Sequence, residues 1–228
     1  MPRTASVARQ AVADGSVSRA VVLDGGSSDA TTTIAESLGI EALDVRSVQF
    51  DRRTAQVHGK GDSLARGVHA VSADWYVFLD ADLGNVSVDH VRALVAPIAT
   101  SVESGVRFVK GGFRRVDENG VPRAVPGGRV TEEIGRPLLE RVDPWLAALS
   151  QPLSGQVAIE GELARSLMIE SGYAVEIAML IDVWRAVGKN GMVEVELGDI
   201  NNRWKPDSAL DVVTRDVIAG AASRGVFL

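Results

Sequence analysis

One run of residues limits the possible folds more than any other part of the sequence. Trp75-Tyr-Val-Phe-Leu79 is entirely apolar or aromatic, and it ends on Asp80-Ala81-Asp82. A short apolar run closed by acidic residues is typical of a strand that is buried on both faces of a sheet. Two further apolar runs, Arg19–Asp24 and Ala42–Val48, alternate with helical stretches over about the first 100 residues. This alternation predicts an α/β fold with parallel βαβ units and helices on both faces of the sheet.

The second half of the chain continues without a linker-like break, an internal repeat or a low-complexity tract. Helices are predicted at 7–14, 30–38, 63–71, 131–149, 176–187 and 210–222, and further strands at 106–110, 112–116 and 192–197. A chain of 228 residues can bury a sizeable core without a disulfide or a structural metal. We therefore expect one domain that covers residues 1–228.

Composition excludes several classes of protein. The net charge of −6 argues against broad electrostatic binding to nucleic acid. The absence of cysteine excludes a disulfide scaffold, a thiolate zinc site and cysteine nucleophiles. No apolar run approaches the roughly 18 residues of a membrane span, and the first residues do not resemble a signal peptide. The sequence therefore predicts a cytoplasmic protein that binds neither nucleic acid nor membrane.

The two acids after the central strand are the strongest local indication of chemistry. In an extended chain, residues i and i+2 point the same way, so Asp80 and Asp82 can face one cation. Mg²⁺ is commonly held by one or two carboxylates together with substrate phosphates. The alternative is a solvated acidic pair in a turn.

Other segments are suited to anionic ligands. The turn Asp24–Asp29 contains two glycines before a helix, and Lys60 lies between two glycines. Gly127–Thr131 combines an arginine, a hydroxyl group and backbone N–H groups at a predicted helix start. Glu176 opens an apolar helix, where it is either a site residue or a charge that interacts with the helix dipole. Each segment, taken alone, is also compatible with an ordinary surface turn.

Seven strings in order resemble the glucosyl-3-phosphoglycerate synthases, which are retaining glycosyltransferases of GT-A fold. The strings are LDGGSSDAT, GKGDSLARG, VFLDADL, VKGGFRR, GGRVTE, QPLSG and GYAVEIAMLID, and they extend from about Val21 to Gly198. The resemblance implies a Rossmann-like, mixed and mostly parallel sheet. It also implies a nucleotide-sugar-binding half over about 1–100 and an acceptor-binding half over about 101–228.

The resemblance implies a Mg²⁺-dependent (or Mn²⁺-dependent) transfer of a hexose from a nucleotide sugar, with glucose from UDP-glucose as the expected donor. The acceptor is a small phosphorylated or carboxylated molecule such as 3-phosphoglycerate. Glu176 and Asp82 match catalytic positions, and Asp82 is also the expected metal ligand. The positions that match the donor site are Asp24, Ser27, Lys60, Asp80, Ala81 and Asp82. Those that match the acceptor site are Gly128, Arg129, Val130, Thr131 and Tyr173. The family also implies a homodimer, and Trp75, Trp145 and Trp184 are predicted packing residues.

The resemblance has one weak point near the end of the last predicted strand. The family's histidine metal ligand falls on Asn202, which can offer only an amide oxygen to a metal. The family's nearby arginine and asparagine fall on Ile200 and Trp204. Since this region is expected to help shape the acceptor pocket, another phosphorylated or carboxylated acceptor is as credible as 3-phosphoglycerate.

A second departure concerns the start of the chain. The family's opening strand and its P-A-L-N-E-E-like donor loop fall before Met1, so we expect the first strand of the sheet to be missing. The sequence thus predicts a natural protein that is longer than 228 residues, or a strand supplied by another subunit. Two other functions stay open: a sugar-phosphate nucleotidyltransferase, and a degenerate, non-catalytic protein that binds a nucleotide sugar.

Overall fold

A computed structural model describes residues 2–51, 53–201 and 207–228, with the side chains of the last segment described from residue 210 onward. The strands are β1 (Val21–Asp24), β2 (Glu41–Asp44), β3 (Trp75–Phe78), β4 (Phe108–Val116), β5 (Val157–Glu160) and β6 (Met192–Asn201). The helices are α1 (Pro2–Ala13), α2 (Thr31–Ser37), α3 (Gly59–Ala70), α4 (Val88–Val95), α5 (Ser101–Ser104), α6 (Arg136–Glu140), α7 (Pro144–Ala148), α8 (Gly161–Ser166), α9 (Ala174–Val187) and α10 (Asp207–Ala222).

The described strands form two sheets. β1 and β2 pair in parallel, and a four-stranded sheet has the order β3-β5-β4-β6. β5 is antiparallel to both of its neighbours, whereas β4 and β6 are parallel. The predicted mixed α/β architecture is confirmed, but the parallel share of the pairing is smaller than we expected because the antiparallel β5 lies inside the sheet.

Alternate residues of the four-stranded sheet enter two separate cores, as the period of two in a strand requires. Phe108 and Ile159 pack on the side of α9, in a core that also holds Leu138, Leu163 and Ile181. Val109 and Ala158 face the other side, where α1 and α4 contribute Val7, Val91 and Leu94. The sheet is therefore covered by helices on both faces, as the sequence predicts.

A buried ion-pair cluster ties α3 to the loop after β2. The side chains of Asp62 and Arg66 are 1% and 0% exposed and pair at 3.1 Å. Arg66 also donates to the carbonyls of Val45, Val48 and Gln56, so its charge is shared among backbone oxygens. Arg53 donates to Asp62 from the same loop. These bonds fix the first turn of α3, where Lys60 lies.

Two predictions about the elements were wrong. The single helix expected at 131–149 is a π-helical turn (Thr131–Gly135) followed by α6 and α7, because Pro144 starts a new helix that the Asp143 side chain caps at the N–H of Trp145. The two strands expected at 106–110 and 112–116 are one strand, β4. The sequence also gave no prediction of β5, α4, α5 or α8.

Among the residues that the structure describes, none of the helices combines the length and the apolar character that a membrane span requires.

Candidate active site

The centre of the candidate site is a lysine held between two carboxylates. Lys60 lies in the first turn of α3 and donates to the carboxylate of Asp80. Asp80 follows Leu79, just after the end of β3. The Nζ of Lys60 also lies 2.8 Å from Oε1 of Glu176 in the first turn of α9. Burial opposes the charge of Lys60, but the carboxylates of Glu176 and Asp80 outweigh it and raise the pKa of the lysine above its ordinary value of 10.5. Lys60 is therefore a cation at neutral pH.

Gly155 and Gln156, in the segment just before β5, lie against Lys60 and Asp80. A Cβ added to Gly155 would lie within 2.7 Å of Oδ1 of Asp80 and still closer to Nζ of Lys60, so any larger residue there would displace the Lys60–Asp80 pair. Gln156 follows, and its Nε2 donates to Oδ2 of Asp80 over 2.9 Å. Burial works against the charge of Asp80, yet the neighbouring Lys60 and these hydrogen bonds hold the pKa of that carboxyl below its usual value of 3.8. Asp80 is thus an oriented carboxylate.

Asp82 is placed differently from Asp80. It lies in an exposed turn with Ala81, and no residue of the described ranges donates a hydrogen bond to its carboxylate. The next residues connect this turn to the end of β6, because the N–H of Gly84 donates to the carbonyl of Asn201 over 2.9 Å. The structure therefore presents Asp82 to solvent beside the end of β6. Asn202 and Trp204, the next departures from the family pattern, lie outside the described residues.

The predicted donor residues of the first turn lie at the carboxyl end of β1. The carboxylate of Asp24 is buried and accepts the N–H of Ser27 over 3.0 Å and that of Gly26 over 3.3 Å. Gly26 has φ +102°, a conformation that a residue with a Cβ rarely adopts. Asp24 thus shapes the turn, and the side chain of Ser27 is exposed on it.

The predicted acceptor residues lie on the loop that enters the π-helical turn. The N–H of Gly127 donates to Oε1 of Glu132 over 2.9 Å, and Thr131 is buried at the start of that turn. Arg129 is exposed, and Gly128 and Val130 are half-buried beside it. Tyr173, just before α9, donates its backbone N–H to Oδ2 of Asp216 over 2.8 Å and is half-buried.

Sequence reasoning missed three polar residues of the site. Gln156 is completely buried, and its Oε1 has no hydrogen-bond partner among the described residues. Lys110 is buried in β4. Arg115, also on β4, donates its Nε to Gln151 over 3.1 Å, and its guanidinium lies against Gly128. The available signal for Lys110 and Arg115 was the presence of charged residues inside a strand that is otherwise apolar or glycine.

Ile200 does not line the acceptor side of the site. It is 0% exposed and belongs to the core on the α4 side of the sheet, with Val109 and Phe113. The expectation that this position shapes the acceptor pocket is therefore wrong for its side chain, because Ile200 points into that core.

Residues 2–137 match the family model described as glycosyl transferase family 2. The chain therefore belongs to this family of glycosyl transferases. This assignment agrees with two features of the structure, a glycine-containing turn after β1 and an acidic pair after β3.

Within that family, the chain is similar to glucosyl-3-phosphoglycerate synthases. That of Mycobacterium tuberculosis (strain ATCC 25618 / H37Rv) is 38% identical over 218 residues, which cover 92% of this chain and 65% of that protein. The enzyme of Petrotoga mobilis is 33% identical over 177 residues, which cover 77% of this chain and 53% of that protein. The chain thus spans a little under two thirds of the length of the Mycobacterium tuberculosis enzyme.

Solved structures of similar enzymes share the fold of this chain. Glucosyl-3-phosphoglycerate synthase from Mycobacterium tuberculosis, in complex with Mn²⁺, UDP and phosphoglyceric acid, has a TM-score of 0.84 at 35% identity and covers 100% of this chain and 74% of that one. Mannosyl-3-phosphoglycerate synthase from Rubrobacter xylanophilus has a TM-score of 0.87 at 30% identity, with 98% and 68% covered. The GT-A-like fold is confirmed.

Proposed function

We propose that the protein transfers glucose from UDP-glucose to 3-phosphoglycerate, with a divalent metal ion at Asp82. The observation that carries the proposal is the cluster of Lys60, Asp80 and Glu176, which joins one predicted catalytic residue to two predicted donor residues. Its support from relatives is the similarity to glucosyl-3-phosphoglycerate synthases, including one in complex with Mn²⁺, UDP-glucose and phosphoglyceric acid. Family membership favours glycosyl transfer over nucleotidyl transfer.

The residues present fit a hard divalent cation. Asp82 offers a solvent-facing carboxylate, whereas both oxygens of Asp80 are already engaged by Lys60 and Gln156. Among the described residues no group of three or more histidine, cysteine or acidic side chains could hold a metal, so substrate phosphate and Asn202 are the proposed additional ligands. A metal held there would neutralise charge on the departing nucleotide.

The chain's own residues do the positioning. The turn of Asp24 and Ser27 and the carboxylate of Asp80 face the nucleotide. Ala81 lies next to Asp80 in the donor site, and Lys60 supplies positive charge next to the phosphates. Gly128, Arg129, Val130 and Thr131 hold the anionic acceptor, with Tyr173 beside it, and Glu176 lies near the acceptor hydroxyl. The acceleration of the reaction then comes from orientation of the two substrates and from electrostatic stabilisation of the transition state.

Ligand binding tests the donor half of the proposal. A ligand that binds only the folded state raises the melting temperature. We expect UDP and UDP-glucose to do so in the presence of Mn²⁺ or Mg²⁺ and to have a much smaller effect in EDTA. A larger metal-dependent shift with GDP-mannose would reassign the donor, and no shift with any nucleotide would contradict a donor site.

The acceptor half is tested at Arg129. We expect Arg129→Ala to raise the KM for 3-phosphoglycerate by about 10- to 100-fold, the effect of losing a hydrogen bond to a charged group, and to change the KM for UDP-glucose little. Arg114→Ala is the matched control because Arg114 is an exposed β4 arginine paired with Asp199 at 2.7 Å. Equal changes in both KM values for Arg129→Ala would refute its acceptor role.

We also propose that the protein works as a homodimer in the cytoplasm. The reason for the compartment is the absence of cysteine, which fits reducing surroundings. Trp145 and Trp184 stack with ring centroids 5.7 Å apart and stay partly exposed, which makes them candidate dimer contacts. Sedimentation velocity at micromolar concentration would give the mass of two chains, and a monomer at every concentration would refute the dimer.

A further inference from the structure

Lys110 is a buried lysine that has no carboxylate partner among the described residues. It lies in β4 and is 2% exposed. Its Nζ donates to the backbone carbonyl of Ser154 over 2.5 Å, and no acidic side chain of the described residues lies within ion-pair distance of it. Burying an unpaired ammonium group costs stability, so a residue of this kind needs a compensating role.

The surroundings of Lys110 are those of the candidate active site. Lys110, Lys60, Ser154, Gly155 and Glu176 line one small cavity, in which the space open to the centre of a water molecule is about 20 Å³. That volume holds about one water molecule. Lys110 and Glu176 therefore line the same cavity, which has room for a single water.

Charge and burial act on Lys110 in opposite directions. Burial, together with the like charge of Lys60, lowers the pKa of Lys110 from 10.5 to about 7, while Glu176, Asp80 and Glu194 raise it. In the protonated form, Lys110 and Lys60 balance the two carboxylates of Asp80 and Glu176. Without Lys110, the two carboxylates share a single cation.

We propose that Lys110 is a positioning residue that fixes the segment Gln151–Gln156 beneath Lys60 and Asp80. The expected change in kcat rests on the proposed function. The expected change in amide hydrogen exchange rests on the contacts of Ser154 alone.

The contacts of the segment show how such positioning would act. Lys110 holds the carbonyl of Ser154, and the hydroxyl of Ser154 donates to the carbonyl of Gly111 over 3.3 Å. The next two residues, Gly155 and Gln156, are the ones that touch Lys60 and Asp80. A shift of the Ser154 carbonyl would therefore move the contacts that orient the donor-side carboxylate.

The test is Lys110→Met, which keeps the volume of the side chain and removes both its charge and its hydrogen bond. We expect only a small change in the melting temperature at pH 7, because removing a buried ammonium group offsets the loss of its hydrogen bond to the Ser154 carbonyl. We expect faster amide hydrogen exchange in the peptide over 151–156 and a kcat for glucose transfer that is lower by at least about tenfold. Lys189→Met, at an exposed lysine, controls for net charge and should change none of these quantities.

Each outcome decides between roles. Unchanged exchange over 151–156 with unchanged kcat would overturn the inference, and so would a lower melting temperature with uniformly faster exchange, which indicates a merely structural lysine. Faster amide hydrogen exchange over 151–156 with unchanged kcat would refute the expected effect of this segment on glucose transfer. If the wild-type protein transfers no glucose, the proposed function fails, and the exchange measurement still decides whether Lys110 fixes the segment.

Discussion

Replacing Asp82 with asparagine is expected to lower kcat/KM by about 10²- to 10³-fold or more, because the residue is the proposed carboxylate ligand of the metal that stabilises the departing nucleotide. Asp82 is exposed in the turn after β3, and no described residue donates a hydrogen bond to its side chain, so Asp82→Asn should leave the melting temperature of the ligand-free protein unchanged. The Mn²⁺-dependent stabilisation by UDP should disappear. Steady-state kinetics and thermal melts with and without Mn²⁺ measure both effects.

Asp89→Asn is the matched control for this substitution. Asp89 is an exposed acid on α4, 79% exposed, whose partner is the surface Arg92. It should leave both kinetics and metal-dependent binding unchanged. An Asp82→Asn variant with wild-type turnover and an intact Mn²⁺ effect would remove Asp82 from the site, and would direct attention to Asp80 as the ligand.

Replacing Asp62 with alanine is expected to reduce the free energy of unfolding by about 3–5 kcal/mol, the cost of leaving a buried charge without its partner. The charge left behind is that of Arg66, whose side chain is 0% exposed. Arg53 would lose its bond to Asp62 as well. Urea unfolding followed by circular dichroism measures the loss. Glu41→Ala, which breaks an exposed pair with Arg19, is the control and should have a far smaller effect.

The loss at Asp62 should depend on pH. Burial opposes the charge of Asp62, but hydrogen bonds from Arg66, the N–H of His58 and Arg53 hold its pKa below 3.8. A carboxyl whose pKa is lower in the folded state contributes stability above the unfolded pKa and loses it as the pH falls through the folded pKa. The difference between wild type and Asp62→Ala should therefore be full at pH 7 and shrink below about pH 4. A difference that is constant down to pH 2 would mean that packing, rather than charge, explains the loss.

Much of the site could be predicted from the sequence because its charged members stand in local motifs. Asp80 closes the most apolar run, Lys60 lies between glycines, and Glu176 opens a helix. What the sequence could not supply is their mutual distance, since α3, the end of β3 and α9 are brought together only by packing. Each residue alone was as compatible with a surface turn as with a site.

Lys110 shows a different limit. In sequence it is one basic residue in a strand, and only the antiparallel β5 and the segment before it reveal that its ammonium group is buried under the site. The missed strand β5 is the cause: without it, neither Ser154 nor Gln156 could be placed near Asp80. The helix predicted at 131–149 failed for a local reason, because Asp143 and Pro144 start a new helix within it.

The most direct test of the account is a search for product. The protein is incubated with UDP-glucose, 3-phosphoglycerate and Mg²⁺, and UDP and the anomeric proton of the product are followed by NMR. We expect UDP and a glucosyl phosphoglycerate in equal amounts, with the anomeric configuration of the donor retained. Unchanged UDP-glucose with folded protein, or pyrophosphate released from a nucleoside triphosphate instead, would contradict it.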